Sequence, residues 1–517
     1  MNNENAKRIF IAMMIIAIGV SIYGYNRPVK MNNISEIYYY ISAYDFADSD
    51  EDGSGDIQGI INSLDYLNDA NPNTDSDLGI TAIVLSPVNS SLSRDQNEVV
   101  DFYDIDTSLG TMDDLAELIE QAHQRGIKVI MSFDFNHTSV SYPWFKEAVA
   151  SKESQLRDYY IFDDDRSADL SAKGPSGQEV WQRHVNYYYY SIEGKRFADL
   201  NYDNQEVRND IKEIASFYLE KGVDGFRLEY PNYIYTEFQD IDIKTAVDNN
   251  IDWWREFKSA CKEVRNNVIL ISDMPERSAS VAPYYKEMDS NMNYFVAQKA
   301  IPGLLRQYKD MAENPADFAK QMEDIYALYK GYNSDFADAP FLSSKKLGRM
   351  IDILSGNQDK ARVAAAIQVT IKGNPVIYYG DELGISDSSG NETEKPRESE
   401  MVSQQIRFQT DPDSSMLNFY KKLIKVKKES EALSVGDFIP VDFKDNQILT
   451  YIRQHKSSRE SVLVIHNLSQ QIKSLNTQEI VKSDTVEMIY SSQEANIIDT
   501  VGNIQLQPLS SVIIEID

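Results

Sequence analysis

Cys261 is the single cysteine in 517 residues. An internal disulfide and a cysteine-based zinc site are therefore excluded, and any extracellular stability has to come from size, packing or a hard metal ion. Bases are scarce relative to acids: 51 Lys and Arg against 81 Asp and Glu give a formal net charge of −30. Nucleic acid is an unsuitable partner, because releasing counterions from a phosphate backbone needs clustered cations. Docking onto anionic lipid by charge is disfavoured for the same reason. Internal repeats and low-complexity tracts are also missing. What is present is 42% hydrophobic and 11% aromatic content, enough for substantial cores in roughly two to four domains of about 150 residues.

One long apolar run occurs, from Ile9 to Tyr25, directly after Lys7 and Arg8. It is just short of the ~20 residues that span a bilayer and longer than a usual signal-peptide core. Residues 1–30 therefore read as a membrane signal-anchor with Lys7 and Arg8 inside, or as a secretory signal peptide if cleaved. Either way the remaining chain is expected outside the cytoplasm, attached to the membrane through this segment or secreted.

From Glu36 onward short β-rich runs alternate with helical stretches, the signature of a parallel sheet built from βα units. Strand candidates begin at Glu36 (EIYYYISAY), Ile80 (ITAIVLS), Ile127 (IKVIMSFD), Asp224 (DGFRLE), Val268 (VILIS), Asn293 (NYFVA), Pro340 (PFLSS) and Asn374 (NPVIYYG). Together they are the eight that close an α/β (β/α)8 TIM barrel. Thr111 with Asp114 forms a capping-type helix start, and Leu115, Leu118, Ile119 and Ala122 follow at helical spacing. Two segments break the alternation. Residues 138–197 are a Tyr- and Asp-rich excursion too long for an ordinary loop, expected to form a small inserted domain over the barrel mouth. Residues 435–517 read as short alternating strands, a C-terminal all-β sandwich. The barrel is then assigned to 31–137 and 198–434.

Several strings occur together in order: DSDEDGSGDIQG from Asp48, DFYDIDTSLGTMDDLAELIEQAHQRGIKVIM from Asp101, NHTS from Asn136, FADLNYDNQEVR from Phe197, GVDGFRLE from Gly222 and GNPVIYYGDELG from Gly373. In this order they resemble the α-amylase family, glycoside hydrolase family 13, and bacterial exported members in particular. The resemblance implies a βα barrel with an inserted B domain and a C-terminal β-sandwich. It also implies action on α-glucosidic bonds with retention, through a carboxylate nucleophile, a protonated carboxylic acid and a third carboxylate that steadies the cationic transition state. Retention needs the first two carboxyl groups only ~5–5.5 Å apart.

The catalytic positions are substituted. The resemblance places Glu229 where the family has an aspartate nucleophile and Asp273 where it has a glutamate acid, and Arg227 of the GFR string is kept. The two changes are opposite in sign, so a compensated swap is conceivable. Misplacement of about 1 Å nevertheless costs on the order of 10²-fold. The Asn-His-Asp after PFLS is replaced by Ser344, Lys345 and Lys346, so Lys346 stands in place of the third carboxylate. At ~4–5 Å and an effective dielectric of ~20, unit charges interact by about 3–4 kcal/mol, and here attraction has become repulsion at a cationic centre. In the sugar-binding shell the first motif keeps His137 but has Ser132 for its leading aspartate. Gln96, Asn97 and Glu98 align with the Gly-Tyr-Asp that stacks the sugar. His137 and Arg227 are the substrate-binding candidates; His137 reads equally well as a satisfied buried histidine. The Tyr187–Tyr190 run suits packing of the inserted domain better than sugar stacking.

The string from Asp48 to Asp56 sets carboxylates at alternate positions around glycines, an arrangement that wraps a hard cation in oxygen, and calcium suits it best. It is not an EF-hand, whose twelfth position would need a glutamate where Gly59 stands. The resemblance implies Ca2+ held by side chains of Asp48, Asp50, Asp52 and Asp56 and by the Ser54 carbonyl. Three functions are then open: an α-glucan- or partner-binding homologue with glycosidase activity lost or strongly reduced; a working retaining hydrolase or transglycosylase using Glu229 and Asp273; and a structural ectodomain of a membrane complex with a membrane-protein partner. A maltooligosaccharide is the ligand expected of the first two.

Overall fold

The computed structural model describes residues 35–516 apart from 72–73, 95, 165–167, 176, 240, 307–313, 388–414, 484–485, 495 and 500–501. The expected membrane segment, Ile9 to Tyr25, lies outside the described residues. Among the described residues no helix is long and apolar enough to cross a membrane.

Eight short strands form one parallel sheet: β1 (Tyr38–Ile41), β2 (Ala82–Leu85), β3 (Lys128–Phe133), β4 (Gly225–Glu229), β5 (Ile269–Asp273), β6 (Ser290–Asn293), β7 (Ala337–Pro340) and β8 (Val376–Tyr378). Their spatial order is β7-β6-β5-β4-β3-β2-β1-β8. A parallel bridge from Phe341 to Val376 closes the ring. Two of these strands lie earlier than the sequence pattern suggested. In NYFVA only Asn293 is in a strand, and the chain then turns into a helical segment that includes Val296–Ala300. Strand β7 is ADAP, ending at the first residue of PFLSS. Apolar runs attracted the assignment, whereas the buried positions of β6 are largely polar: Ser290, Asn291 and Asn293.

Period-two alternation splits the barrel's apolar side chains into two cores. Ala82, Val84, Ile130, Ile271 and Val376 pack inside the ring. Ile83, Leu85, Val129, Met131, Phe226 and Leu270 face outward under the helices. Strand β4 can approach β5 only because it opens with glycine: a Cβ at Gly225 would lie 2.1 Å from the Ile269 carbonyl oxygen. Helix α1 (Met112–Gln124) starts with the expected capping box between Thr111 and Asp114 and buries Leu115, Leu118, Ile119 and Ala122.

The excursion after β3 leaves and re-enters the barrel through an antiparallel ribbon, His137–Ser139 against Phe197–Asp199. Its three-stranded sheet has Tyr187–Tyr190 at the centre. Those tyrosines are packing residues: Tyr189 meets Phe145, and Tyr190 meets Trp181 while its hydroxyl bonds Thr236. The C-terminal region is two antiparallel sheets of five and three strands, with Leu463, Ile465, Ile504, Leu506, Val512 and Ile514 between them.

This β region is fastened to the barrel by a buried cation on a helix C-terminus, where carbonyls lack helical partners and the dipole favours positive charge. Arg453, fully buried, donates to the carbonyls of Thr370 and Ile371 at the end of α2 (Gln358–Thr370), at 2.7 and 2.9 Å, and to Gly436 at 2.9 Å. Within the barrel region, Lys427, on α3 (Met416–Glu429), donates to Val369 and Leu433 at 2.9 and 3.1 Å. Arg453→Met strips three buried carbonyls of their donor. It should lower unfolding free energy by about 2–3 kcal/mol in urea titrations; an unchanged midpoint would refute this account of the junction.

Candidate active site

Glu229 and Asp273 end neighbouring strands and face each other as partners in the β4–β5 register. Adjacent strands lie about 4.8 Å apart, so the backbone alone brings these two carboxylates together. Arg227, two residues before Glu229, shares its face. The guanidinium, 6% exposed, donates to Glu229 Oε1 at 2.9 Å, to Ser132 Oγ at 3.2 Å and to Asp273 Oδ2. One planar group thus spans both acids, and Ser132, where the family motif has an aspartate, is its third partner.

Lys346 reaches in from beyond β7. Its Nζ lies 3.1 Å from Glu229 Oε2 and 2.8 Å from the Tyr230 hydroxyl, and 4.2 Å from the Tyr230 ring centroid. Each oxygen of Glu229 therefore meets a different cation. Burial by itself raises the Glu229 pKa, but Arg227 and Lys346 overcome it and hold the carboxyl at about 2. Lys346 is opposed by burial as well, and the charges of Glu229 and Asp273 outweigh it and push its pKa up. Tyr230 holds the ammonium from a strained backbone, φ +45°, a conformation that costs about 1–3 kcal/mol for a bulky residue. Its ring is stacked on Tyr233 at 4.9 Å, and its N–H donates to the Asp273 carbonyl.

A second acidic layer flanks Lys346. Asp134 directly follows β3, and burial together with the charge of Glu229 pushes its pKa up to about 7. Glu193, from the inserted domain, is raised by burial and by Asp134. His137 sits behind them, 3% exposed, packed on Phe197 at 4.5 Å between ring centroids, with Nδ1 3.7 Å from Asp134 Oδ2. Burial lowers it to about 4, so it is a neutral, enclosed ring and does not line the cavity described next. Sequence reasoning passed over Asp134 and Glu193. Asp134 had a signal, since it lies two residues past Ser132 on the same strand face. Glu193 had none, being carried to the site by the fold of the insertion.

Above the ion pairs opens a cavity of about 220 Å³, lined by Arg227, Glu229, Asp273, Lys345 and Lys346 together with aromatic and small residues. Tyr40 and Tyr378, stacked at 5.7 Å, and Tyr294 supply its aromatic surface. The Gln96–Asn97 pair lines it where the family has a sugar-stacking tyrosine. Gln96 takes φ +60°, the backbone of the glycine it replaces. Glu98 turns away to pair with Arg196.

On the same end of β1, the acidic loop brings Asp48, Asp50 and Asp56 together, with one oxygen of each within 4.8 Å of the others. The loop is closed by its own amides: Asp48 accepts from Glu51 and Gly53 at 2.8 and 2.7 Å, and Asp56 caps the following helix through Gly59 at 2.6 Å. A Cβ at Gly55 or Gly59 would lie 2.4 or 2.1 Å from a carbonyl oxygen, so both glycines are required by the close approach. Asp52 stands outside that trio and accepts from Ser54 N at 2.7 Å.

Comparison with known proteins follows the same lines. Residues 40–413 match the family model of the α-amylase catalytic domain, and residues 448–513 match that of the α-amylase SusG C-terminal domain. Alpha-amylase 3 of Dictyoglomus thermophilum is 33% identical over 99% of this chain and 98% of its own length. A probable oligo-1,6-glucosidase 2 of Bacillus subtilis is 26% identical over 84% and 90%. Among solved structures, the α-amylase from H. orenii superposes with TM-score 0.81 and 32% identity, covering 93% of this chain and 99% of that one. Eubacterium rectale Amy13B gives 0.78 and 24%, covering 96% and 98%.

The Asp134 carboxyl generates a pH prediction. Its folded pKa of about 7 lies above the ordinary aspartate value of 3.8, so its contribution to stability is intact below about pH 4 and is lost as pH rises to 7. Asp134→Asn should unfold a few degrees higher than the parent at pH 8, with the gap closing toward pH 4. A pH-independent gap, or none, would show that Asp134 is not held in this way.

Proposed function

The chain belongs to the α-amylase family, glycoside hydrolase family 13, and from that premise we propose that it binds an α-glucan end in the old catalytic cavity without appreciable hydrolysis. The observation that carries this reading is Lys346 Nζ 3.1 Å from Glu229 Oε2, with Arg227 on the other oxygen and on Asp273. A nucleophile has to offer a free carboxylate lone pair to the anomeric carbon. Here both oxygens are bound in ion pairs, and the family's third carboxylate is replaced by the ammonium of one of them. An oxocarbenium-like centre placed against Glu229 would meet Lys346 instead of a stabilising anion, and electrostatic stabilisation of this kind is commonly the largest single contribution to catalysis. Aromatic faces and hydroxyls around the cavity suit a pyranose ring.

A working hydrolase is the second reading, and one observation favours it: a single guanidinium contacts both carboxylates, the proximity that retention requires. The two readings separate in one assay. Maltoheptaose should bind in calorimetry, while reducing-sugar release stays at or below about 10⁻² of an active relative's rate. Release that is abolished by Glu229→Gln would overturn the proposal. The combined substitutions E229D, D273E, K345H and K346D should bring measurable hydrolysis back.

We further propose that the acidic loop holds calcium, with Asp48, Asp50 and Asp56 as side-chain ligands; Asp52 and the Ser54 carbonyl are the remaining expected donors. The ion would supply charge neutralisation that pins the loop between β1 and the first barrel helix. Its removal by a chelator should lower the thermal midpoint, and about 2.7 kcal/mol is at stake when calcium is at 100 times its dissociation constant. Asp50→Asn should abolish the chelator effect; a midpoint indifferent to both would refute calcium here.

A further inference from the structure

The cavity inverts the charge of the protein. The chain carries −30 overall, yet four cations, Arg94, Arg227, Lys345 and Lys346, line the cavity against two acids, Glu229 and Asp273. Both acids are already committed: Arg227 bonds the two of them and Lys346 bonds Glu229. One cation remains uncommitted at the rim, because Arg94 is itself paired with Asp45. Arg94 is fixed in place, 3.0 Å from Asp45 and 4.3 Å over the Tyr44 ring. Lys345 is exposed and has no ion-pair partner among the described residues. The acids that flank Lys346 from the other side, Asp134 and Glu193, are not part of the cavity wall. The floor is of a different character, lined by Tyr40, Tyr294 and Tyr378 with Ser86 and Ser344. At about 220 Å³ the space falls below the ~300–1,000 Å³ of pockets that enclose drug-sized ligands. About one sugar ring can be enclosed.

We propose that the ligand of this cavity is a sugar unit bearing an anionic group, a phosphate or a carboxylate, with its ring against the tyrosines of the floor and its charge at Lys345. The proposal rests on the reading of the cavity as a carbohydrate site and adds the chemistry of its occupant. An ordinary α-glucan is neutral and offers the Lys345 ammonium no counter-charge. An anion there gains charge-assisted hydrogen bonds in a field that the acidic remainder of the molecule, screened beyond about 8–10 Å of salt solution, does not cancel.

Calorimetry on the full chain at low ionic strength tests this with glucose, glucose 6-phosphate, glucuronate, inorganic phosphate and maltoheptaose. The anionic sugars should bind on the order of tenfold more tightly than glucose, and the advantage should shrink with added salt. Whichever of glucose 6-phosphate and glucuronate binds better identifies the group. Lys345→Met, an exposed substitution, should remove the advantage of the anionic sugars over glucose. Equal affinity for glucose and both anionic sugars overturns the inference and leaves the carbohydrate reading standing. Glucose 6-phosphate binding with no affinity for maltoheptaose overturns the α-glucan as occupant and leaves the anionic-sugar inference standing. Inorganic phosphate binding as tightly as glucose 6-phosphate, or a preference that survives Lys345→Met, also overturns it.

Discussion

Arg227 is a guanidinium buried at the mouth of a barrel, and a charge in that position is tolerable only when it is neutralised and hydrogen-bonded. Glu229, Asp273 and Ser132 meet that requirement, and they arrive on three adjacent strands because the parallel register puts them there. Two acids around one base leave an excess negative charge in a poorly solvated place. Lys346 offsets it, and Tyr230, held at positive φ, steadies Lys346. Each member exists in its observed state because of the others, and removal of one partner from a buried pair costs about 3–5 kcal/mol.

That interdependence explains why the substitutions in this chain are concentrated and not scattered. By the resemblance to the family, a glutamate for aspartate at 229 extends one carboxylate, an aspartate for glutamate at 273 retracts the other, and a lysine for aspartate at 346 offsets the charge of the group. The scaffold beneath is unaffected, since the inner and outer cores of the barrel, the capping box of α1 and the cation-fastened C-terminal sandwich involve none of these positions. Family architecture and site chemistry have changed independently, as expected when function resides in a site carried by a fold.

Much of this was legible in the chain. The motif strings placed the barrel, the insertion and the sandwich, and they located Glu229, Asp273 and Lys346 at the mouth. Periodicity misplaced β6 and β7 by several residues, because apolar character marks burial without saying whether a strand or a helix provides it. Polar strands such as SNMN have no such mark. His137 was recognisable as a motif residue, yet its enclosure behind Phe197 depends on the ribbon that leads into the inserted domain. Asp134 and Glu193 illustrate two grades of invisibility. The first could have been found from strand parity, and the second is brought from 60 residues away by the fold of an insertion with no repeating pattern.

The sequence by itself determined composition, charge, the order of elements and the identity of the residues at the barrel's functional end, because these follow from local pattern and motif spacing. Tertiary structure alone decided how those residues pair. Which oxygen of Glu229 meets which cation, that Lys346 is bound inward while Lys345 lines the cavity with no ion-pair partner among the described residues, and that a chain of −30 charge encloses a cation-lined cavity are all matters of distance. Electrostatic energy falls with separation and rises with desolvation, and neither quantity is written along a chain; both come into being only when strands distant in sequence are closed into one ring.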